Sequence, residues 1–190
     1  VIQANTELAE ITGAFIKSHP DDEESYNYRY LLGQAYFYSG QYQKSIDAFM
    51  AIRDIENTRY QADAARYVAD AQEYLIRAKA EEDASYVYAL PLNDLVERVN
   101  RGRMSLSEAP TSILLSQAVT GSTPEAVKAE LEKRKGGSVV REMPQDVQAL
   151  IDAREAFSEI ETKSGKTDMD PTALAPQYRY DNAMIYYNYG

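Results

Sequence analysis

Few side chains in this sequence are of types that do chemistry, and those few are poorly spaced for it. His19 is the single histidine among 190 residues, and there is no cysteine. Two-histidine metal sites, thiolate zinc sites, disulfides and cysteine nucleophiles are therefore excluded. A lone histidine beside Pro20 reads as a solvated turn residue, and no serine has another histidine to activate it. Ser164-Gly165-Lys166-Thr167 imitates the end of a phosphate-binding loop. The earlier glycine that such a loop requires is replaced by Ile160, and the segment follows a helical pattern instead of a strand. Two carboxylate groups could attract a hard cation: Asp21-Asp22-Glu23-Glu24, and Asp168 with Asp170. The first reads more simply as negative charge at a helix start, and the second lacks the twelve-residue calcium loop with its closing glutamate. The expectation is no catalytic, cofactor-binding or metal-ligating residue, and a chain that is not an enzyme.

Attention then moves to the elements that would position any binding surface. Hydrophobic residues make up 44% of the chain, enough to build a core. The mean hydropathy of -0.52, with no long apolar run, leaves no segment suited to membrane insertion. A net charge of -10 repels phosphate backbones, so nucleic acid is not an expected partner. The one basic cluster, Lys133-Arg134-Lys135, reads as a cationic last helical turn before Gly136-Gly137.

Apolar spacing of three and four predicts helices along most of the chain. The first runs from about Asn5 to Ser18, with Leu8, Ile11 and Phe15 on its inner face, and Pro20 ends it. A second, about Glu24 to Tyr38, groups Tyr28, Leu32, Ala35 and Tyr36 and stops at Gly40. A third, about Gln41 to Ile55, carries Tyr42, Ile46, Phe49 and Ile52. A fourth, about Arg59 to Arg77, carries Ala64, Tyr67, Val68, Ala71 and Leu75. Connections this short favour antiparallel neighbours. Gly33 in mid-helix costs about 1 kcal/mol relative to alanine, which makes sense where another helix must come close. Ala69 and Ala183 occupy the equivalent small position. The last of these follows from an internal echo: Tyr28 to Gly40 recurs 150 positions later as Tyr178 to Gly190.

On these residues the chain resembles the tetratricopeptide repeat family. Leu32-Gly33-Gln34-Ala35-Tyr36, Gly40-Gln41-Tyr42, Ser45-Ile46, Phe49 and Ile52 follow that family's pattern of small and large positions. Arg29, Ser45 and Asn57 depart from it. The resemblance implies an all-α fold of antiparallel helix pairs forming an α-α superhelix, with residues 1–78 as repeats and 177–190 as the first helix of a further repeat. Residues 79–176 then read as a helical insertion: a helix after Pro91 with Leu92, Leu95, Val96 and Val99; one opened by the Ser105/Glu108 capping-box spacing, carrying Ile113, Leu114, Ala118 and Val119 and closed by Gly121; one from Thr123-Pro124 to Gly136; one from about Gln145 to Lys163; and a loop over 166–176. Phe15 to Asp21 looks like the exit of a preceding repeat, so the expectation is a piece of a larger array cut in mid-repeat at both ends. That exit style is common in bacterial envelope members of the family, making the periplasm or envelope the expected location.

The resemblance also places a concave groove along the first helix of each pair. Here that gives Asn27, Tyr30, Gln34, Phe37 and Tyr38; then Asp63, Arg66, Asp70, Glu73 and Tyr74; then Gln177, Tyr180, Met184 and Tyr187. Tyrosines suit such surfaces because each buries roughly 150 to 250 Å² while keeping a polar tip. The implied function is a non-catalytic scaffold binding a peptide or protein segment with apolar anchors near Lys or Arg. The inserted helices or a second copy of the chain are alternative occupants, and a structural, oligomerising subunit of a larger assembly is the alternative function. Self-association through the cut repeat ends, or a solvent-exposed apolar patch near Tyr186 and Tyr189, is expected because the last helix offers a face built for a further partner.

Overall fold

The computed structural model describes residues 1–20, 25–55, 59–116, 123–135 and 140–190. Within them the chain is all-α, with no strand: α1 (Ile2–Ser18), α2 (Ser25–Tyr38), α3 (Tyr42–Arg53), α4 (Gln61–Lys79), a 3-10 helix (Ala84–Ala89), α5 (Leu92–Asn100), α6 (Thr111–Leu115), α7 (Pro124–Arg134), α8 (Gln145–Lys163) and α9 (Ala175–Tyr189). The Asp21–Glu24 cluster, Asn57, Ala118, Val119, Gly121 and Gly136 lie outside the described residues. No described helix is long and apolar enough to cross a membrane. Helix ends follow local chemistry. Thr123 Oγ1 accepts from the Ala126 amide at 3.2 Å with Pro124 in the first turn, and Gly40, at φ 78°, takes the left-handed conformation that reverses the chain between α2 and α3. The Ser105/Glu108 pair does bond, through the Ser105 amide and hydroxyl to the Glu108 carboxylate at 3.0 and 2.6 Å, but it closes a turn. The helix starts only after Pro110, which lacks an amide to continue one and suits the position before a first turn.

Two compact units divide the chain: residues 1–75 with 149–179, and residues 76–148 with 180–190. In the first, α1, α2 and α3 pack as successive hairpins. Phe37 meets Tyr42, and Tyr30 meets Phe49, so α2 and α3 run antiparallel. Gly33 makes their contact: a Cβ built on it would fall 2.7 Å from the Phe49 ring, which is fully buried. Ser45 belongs to the same contact, its hydroxyl donating to the Gly33 carbonyl at 2.9 Å. Behind Phe49 the Tyr67 ring of α4 lies stacked at 4.7 Å and 4°. The α1 helix turns differently from expectation. It buries Ala9 and Thr12 and leaves Leu8 and Ile11 exposed, while Gly13 faces Leu32 of α2 at ordinary van der Waals distance.

The core around Phe49 also contains Ala153, Phe157 and, partly buried, Ile160 of α8. These residues have the spacing of Ser45, Phe49 and Ile52 in α3. Thus α8 shares a core with Ala64, Ala65, Val68 and Ala69 of α4, although 65 residues of sequence (80–144) separate the two helices. The compact units are accordingly drawn differently from the segments 1–78, 79–176 and 177–190 read from sequence: most of α8 and the loop after it join the first unit, and 180–190 join the second.

The second unit has its own core, including Leu90, Leu95, Val99, Met104, Ala109, Ile113 and Leu114. Arg134, read from sequence as a charge complementing its helix end, instead clamps the turn before α6. Its guanidinium donates to the carbonyls of Ala109, Leu106 and Ser107 at 2.7, 2.8 and 3.0 Å. The end of α9 is latched within this unit: Tyr189 donates to the Ser85 carbonyl at 2.6 Å, Asn188 to that of Tyr88 at 3.1 Å, and the Arg141 amide to that of Tyr189 at 2.7 Å. Tyr189 is therefore buried and contributes nothing to the apolar patch expected there, whereas Tyr186 is 48% exposed. Ala183 is exposed too and takes no close helix contact of the kind seen at Gly33.

These contacts make two small residues sensitive for different reasons. Gly33→Ala gains about 1 kcal/mol of helix propensity but overpacks a filled site at a cost of about 1–3 kcal/mol. The urea midpoint should fall; a rise would mean the Phe49 ring can give way. Ala183→Gly, with nothing to relieve, should simply lose about 1 kcal/mol.

Candidate interaction surface on the tyrosine ridge

Helices α2 and α4 lie side by side and meet through their aromatic residues. Tyr30 stacks on Tyr60 at 4.4 Å and meets Tyr67 edge-on at 6.2 Å, while Phe37 meets Tyr67 at 5.2 Å and Tyr74 at 5.6 Å. Tyr42 of α3 stacks flat on Tyr74 at 4.9 Å. The contacts advance in the same direction along both helices, so α2 and α4 are parallel. Polar tips are joined as well: Gln34 donates to the Tyr67 hydroxyl at 3.1 Å, and the Tyr38 and Tyr67 hydroxyls share a bond of 3.1 Å. Asn27 accepts from the Tyr60 hydroxyl at 2.8 Å and from Arg59 at 2.9 Å. Burial, reinforced by the Asp63 carboxylate, pushes the Tyr30 phenol up to about 12. Together these rings form a hydrogen-bonded ridge.

The residues expected to line a groove thus separate into four groups. Asn27, Tyr30, Gln34 and Phe37 are part-buried mortar between α2 and α4. Tyr38, Asp63, Arg66 and Tyr74 keep open surface, with Tyr38 52% and Tyr74 47% exposed. The Arg66 guanidinium sits 5.5 Å from the Tyr67 ring and 3.9 Å from Asp63, loose contacts that leave it able to bond elsewhere. Asp70 and Glu73, by contrast, already have partners from within the unit. Tyr178 donates to Asp70 at 3.0 Å, and Arg154, almost wholly buried, pairs with Glu73 at 2.8 Å. The chain's own α8 and the start of α9 therefore occupy this part of the expected groove. Tyr180, Met184 and Tyr187 belong to the second unit, where Tyr180 and Tyr187 are exposed and Met184 is half-buried.

Glu161 is a structural residue that sequence reading passed over. Its buried carboxylate accepts from the Leu174 and Ala175 amides at 2.9 and 2.7 Å and from Lys166 at 3.2 Å, capping α9 from a distance. The signal available in sequence was the Ala153, Phe157, Ile160 spacing, which marks α8 as a counterpart of α3 and so brings its polar face against α4. The two carboxylates weighed as a cation pair are engaged in separate tasks. Asp168 takes both Nη atoms of Arg179 at 3.1 and 2.8 Å, and Asp170 accepts from the Thr172 amide and hydroxyl at 2.8 and 2.7 Å.

Burial raises the Asp70 carboxyl above its ordinary value, against the opposing pull of the Tyr178 bond and Arg66. A raised folded-state value means that the fold binds this proton more readily than the unfolded chain. Its stability contribution is therefore fully present below the ordinary carboxylate range and is lost as pH rises through the folded value. Asp70→Asn, which can still accept from Tyr178, should remove that part of the pH dependence and match or exceed the parent at neutral pH. Tyr178→Phe should cost about 1–3 kcal/mol at neutral pH by stripping a buried carboxylate of its donor, and less near about pH 4. Urea melts at the two pH values check both; an equal loss for Tyr178→Phe at each would show that Asp70 stays protonated throughout.

Compared with known proteins, the chain matches no protein-family model, no curated protein and no solved structure.

Proposed function

We propose that this chain is a non-catalytic interaction scaffold of tetratricopeptide type, and that the open part of its tyrosine ridge, formed by Tyr38, Asp63, Arg66 and Tyr74, binds an extended or helical protein segment. The observation that carries this reading is the pairing of α2 and α4 through residues about one repeat apart, Asn27 with Tyr60 and Gln34 with Tyr67. Such pairing leaves a line of half-exposed rings on a rigid base. A rigid ring loses little entropy on binding and offers both apolar area and a hydroxyl. Asp63 makes a segment carrying Lys or Arg beside its apolar anchor the best fit, and Arg66 supplies donors to that segment's backbone carbonyls.

The alternative is a structural subunit whose end faces join it to other chains, in a bacterial assembly such as the cell envelope. It is favoured by the exposure of apolar residues on α1 (Leu8, Ile11) and aromatic residues on α9 (Tyr180, Tyr187).

Selection of the 190-residue chain against a randomised peptide library should enrich peptides with an aromatic or aliphatic anchor two to four residues from a cation. Asp63→Lys should turn that preference toward Asp or Glu. Tyr74→Ala should weaken the selected peptides about tenfold or more, equivalent to about 1.4 kcal/mol. A library that yields no preference, or a preference that Asp63→Lys leaves unchanged, would sink the reading.

A further inference from the structure

In the second unit four arginines surround one small, half-enclosed cavity of about 160 Å³: Arg77 from the last turn of α4, and Arg98, Arg101 and Arg103 from the end of α5. Backbone chemistry gathers the last three. Gly102, at φ 68°, takes the left-handed conformation, and the Gly102 and Arg103 amides donate to the Val99 and Arg98 carbonyls at 3.0 and 2.8 Å. This closure of α5 folds Arg103 back toward Arg98. Three carboxylates share the cavity, and each pairs with one arginine: Asp94 with Arg77, Glu81 with Arg98, and Glu97 with Arg101 at 2.7 Å. In sequence these arginines alternate with carboxylates and form no basic run. In the fold they outnumber the carboxylates around one space, although the chain as a whole carries a net charge of -10.

We propose that this cavity binds a phosphoryl group through Arg98, Arg101 and Arg103. Among the described residues Arg103 has no side-chain hydrogen bond or ion pair, so its whole guanidinium is available. Arg98 and Arg101 each meet their carboxylate through Nη2, and a guanidinium has five N–H donors, so both are held in place with donors to spare. Arg98 is 15% exposed and its partner Glu81 61%, so water screens the carboxylate more than the guanidinium. Size and lining select the ligand. Pockets for drug-sized molecules are roughly 300–1,000 Å³, so this cavity admits only a small group, and its lining is charged apart from Leu90. A carboxylate offers two oxygens in one plane, whereas a phosphoryl group offers three around a tetrahedral centre and carries up to two negative charges, which suits three separate guanidinium groups. Cations near a helix C-terminus also complement its dipole, which accounts for Arg98 and Arg101 but not for Arg103, two residues beyond the end of α5.

No residue of the tyrosine ridge takes part, so phosphoryl binding and peptide selection can fail independently of one another. Free phosphate and the phosphoryl end of a larger monoester share this chemistry, and titration calorimetry of the 190-residue chain with inorganic phosphate and with glycerol phosphate separates the two. At an ionic strength held constant with sodium chloride, at least one should bind saturably, one to one, with a dissociation constant below about 1 mM. Tighter binding of glycerol phosphate assigns the site to a larger monoester, and tighter binding of inorganic phosphate assigns it to the free ion. Arg103→Ala removes no contact within the protein, so the melting midpoint should stay at the parent value while binding weakens about fivefold or more. Glu97→Gln takes a competing charge away from Arg101 yet leaves it an acceptor, and should strengthen binding about twofold. Lys128→Ala removes the same charge as Arg103→Ala from an exposed position on α7 and should leave binding unchanged. The proposal is overturned if neither ligand binds saturably up to about 10 mM. It is equally overturned if Arg103→Ala weakens binding no more than Lys128→Ala does, because the arginines would then serve only the end of α5 and the general charge of the surface.

Discussion

The approach of Phe49 to the backbone of Gly33 is the constraint on which the first unit depends. A ring held against a residue without a side chain sets the distance between α2 and α3. It also orients Phe49 so that Tyr67 can stack on its other face at 4.7 Å. From Tyr67 the order passes outward through hydrogen bonds to Gln34 and Tyr38 and edge contacts to Tyr30 and Phe37. Aromatic pairs of this kind add about 0.5–1.5 kcal/mol each beyond their buried area, so a cluster linked through one ring is both stable and rigid. A binding surface benefits from that rigidity, because side chains already held in place lose less freedom when a partner arrives.

The same architecture explains why part of the expected groove is closed. The first helix of a pair needs a second helix over its small positions. For α4 that helix is α8, whose Ala153 and Phe157 lie in the core with Ala69. Once α8 is in place its polar face must be satisfied, and Arg154 and Glu73 do this for each other. Removing Glu73 would leave the almost wholly buried Arg154 without this carboxylate, which costs more than the intact pair contributes to stability. The Tyr178 bond to Asp70 serves the same purpose beside it. Residues that look like ligand contacts in a list of helical positions are, in the fold, the polar seam between the chain's own helices.

Several acidic side chains have partners within their own unit. Glu161 caps α9, Asp170 closes a turn on Thr172, Asp168 holds Arg179, and in the second unit Asp146 pairs with Lys79. This distribution gives the carboxylates structural tasks, and among the described residues no three of His, Asp or Glu gather where they could hold a metal ion.

Much of the fold was legible in the sequence because helices are encoded by short-range periodicity and punctuation. The spans of α2, α3, α4 and α8 and the reversal at Gly40 follow from residues within a few positions of each other, and the close contact at Gly33 is signalled by a glycine in mid-helix. The site was legible only as a set of helical positions. Periodicity shows that a helix has an apolar face; it carries no information on whether another element covers that face. Leu8 and Ile11 form as regular a stripe as any in the chain and are exposed, while Tyr189, expected to be open, is buried by a bond to Ser85. The sequence by itself determined which segments are helices, where they end and which small residues permit close approach. Only the tertiary structure decided that α8, 65 residues of sequence away from α4, shares its core, that Asp70 and Glu73 are occupied from within, and that Ala183 is exposed, because burial is settled by partners distant in sequence.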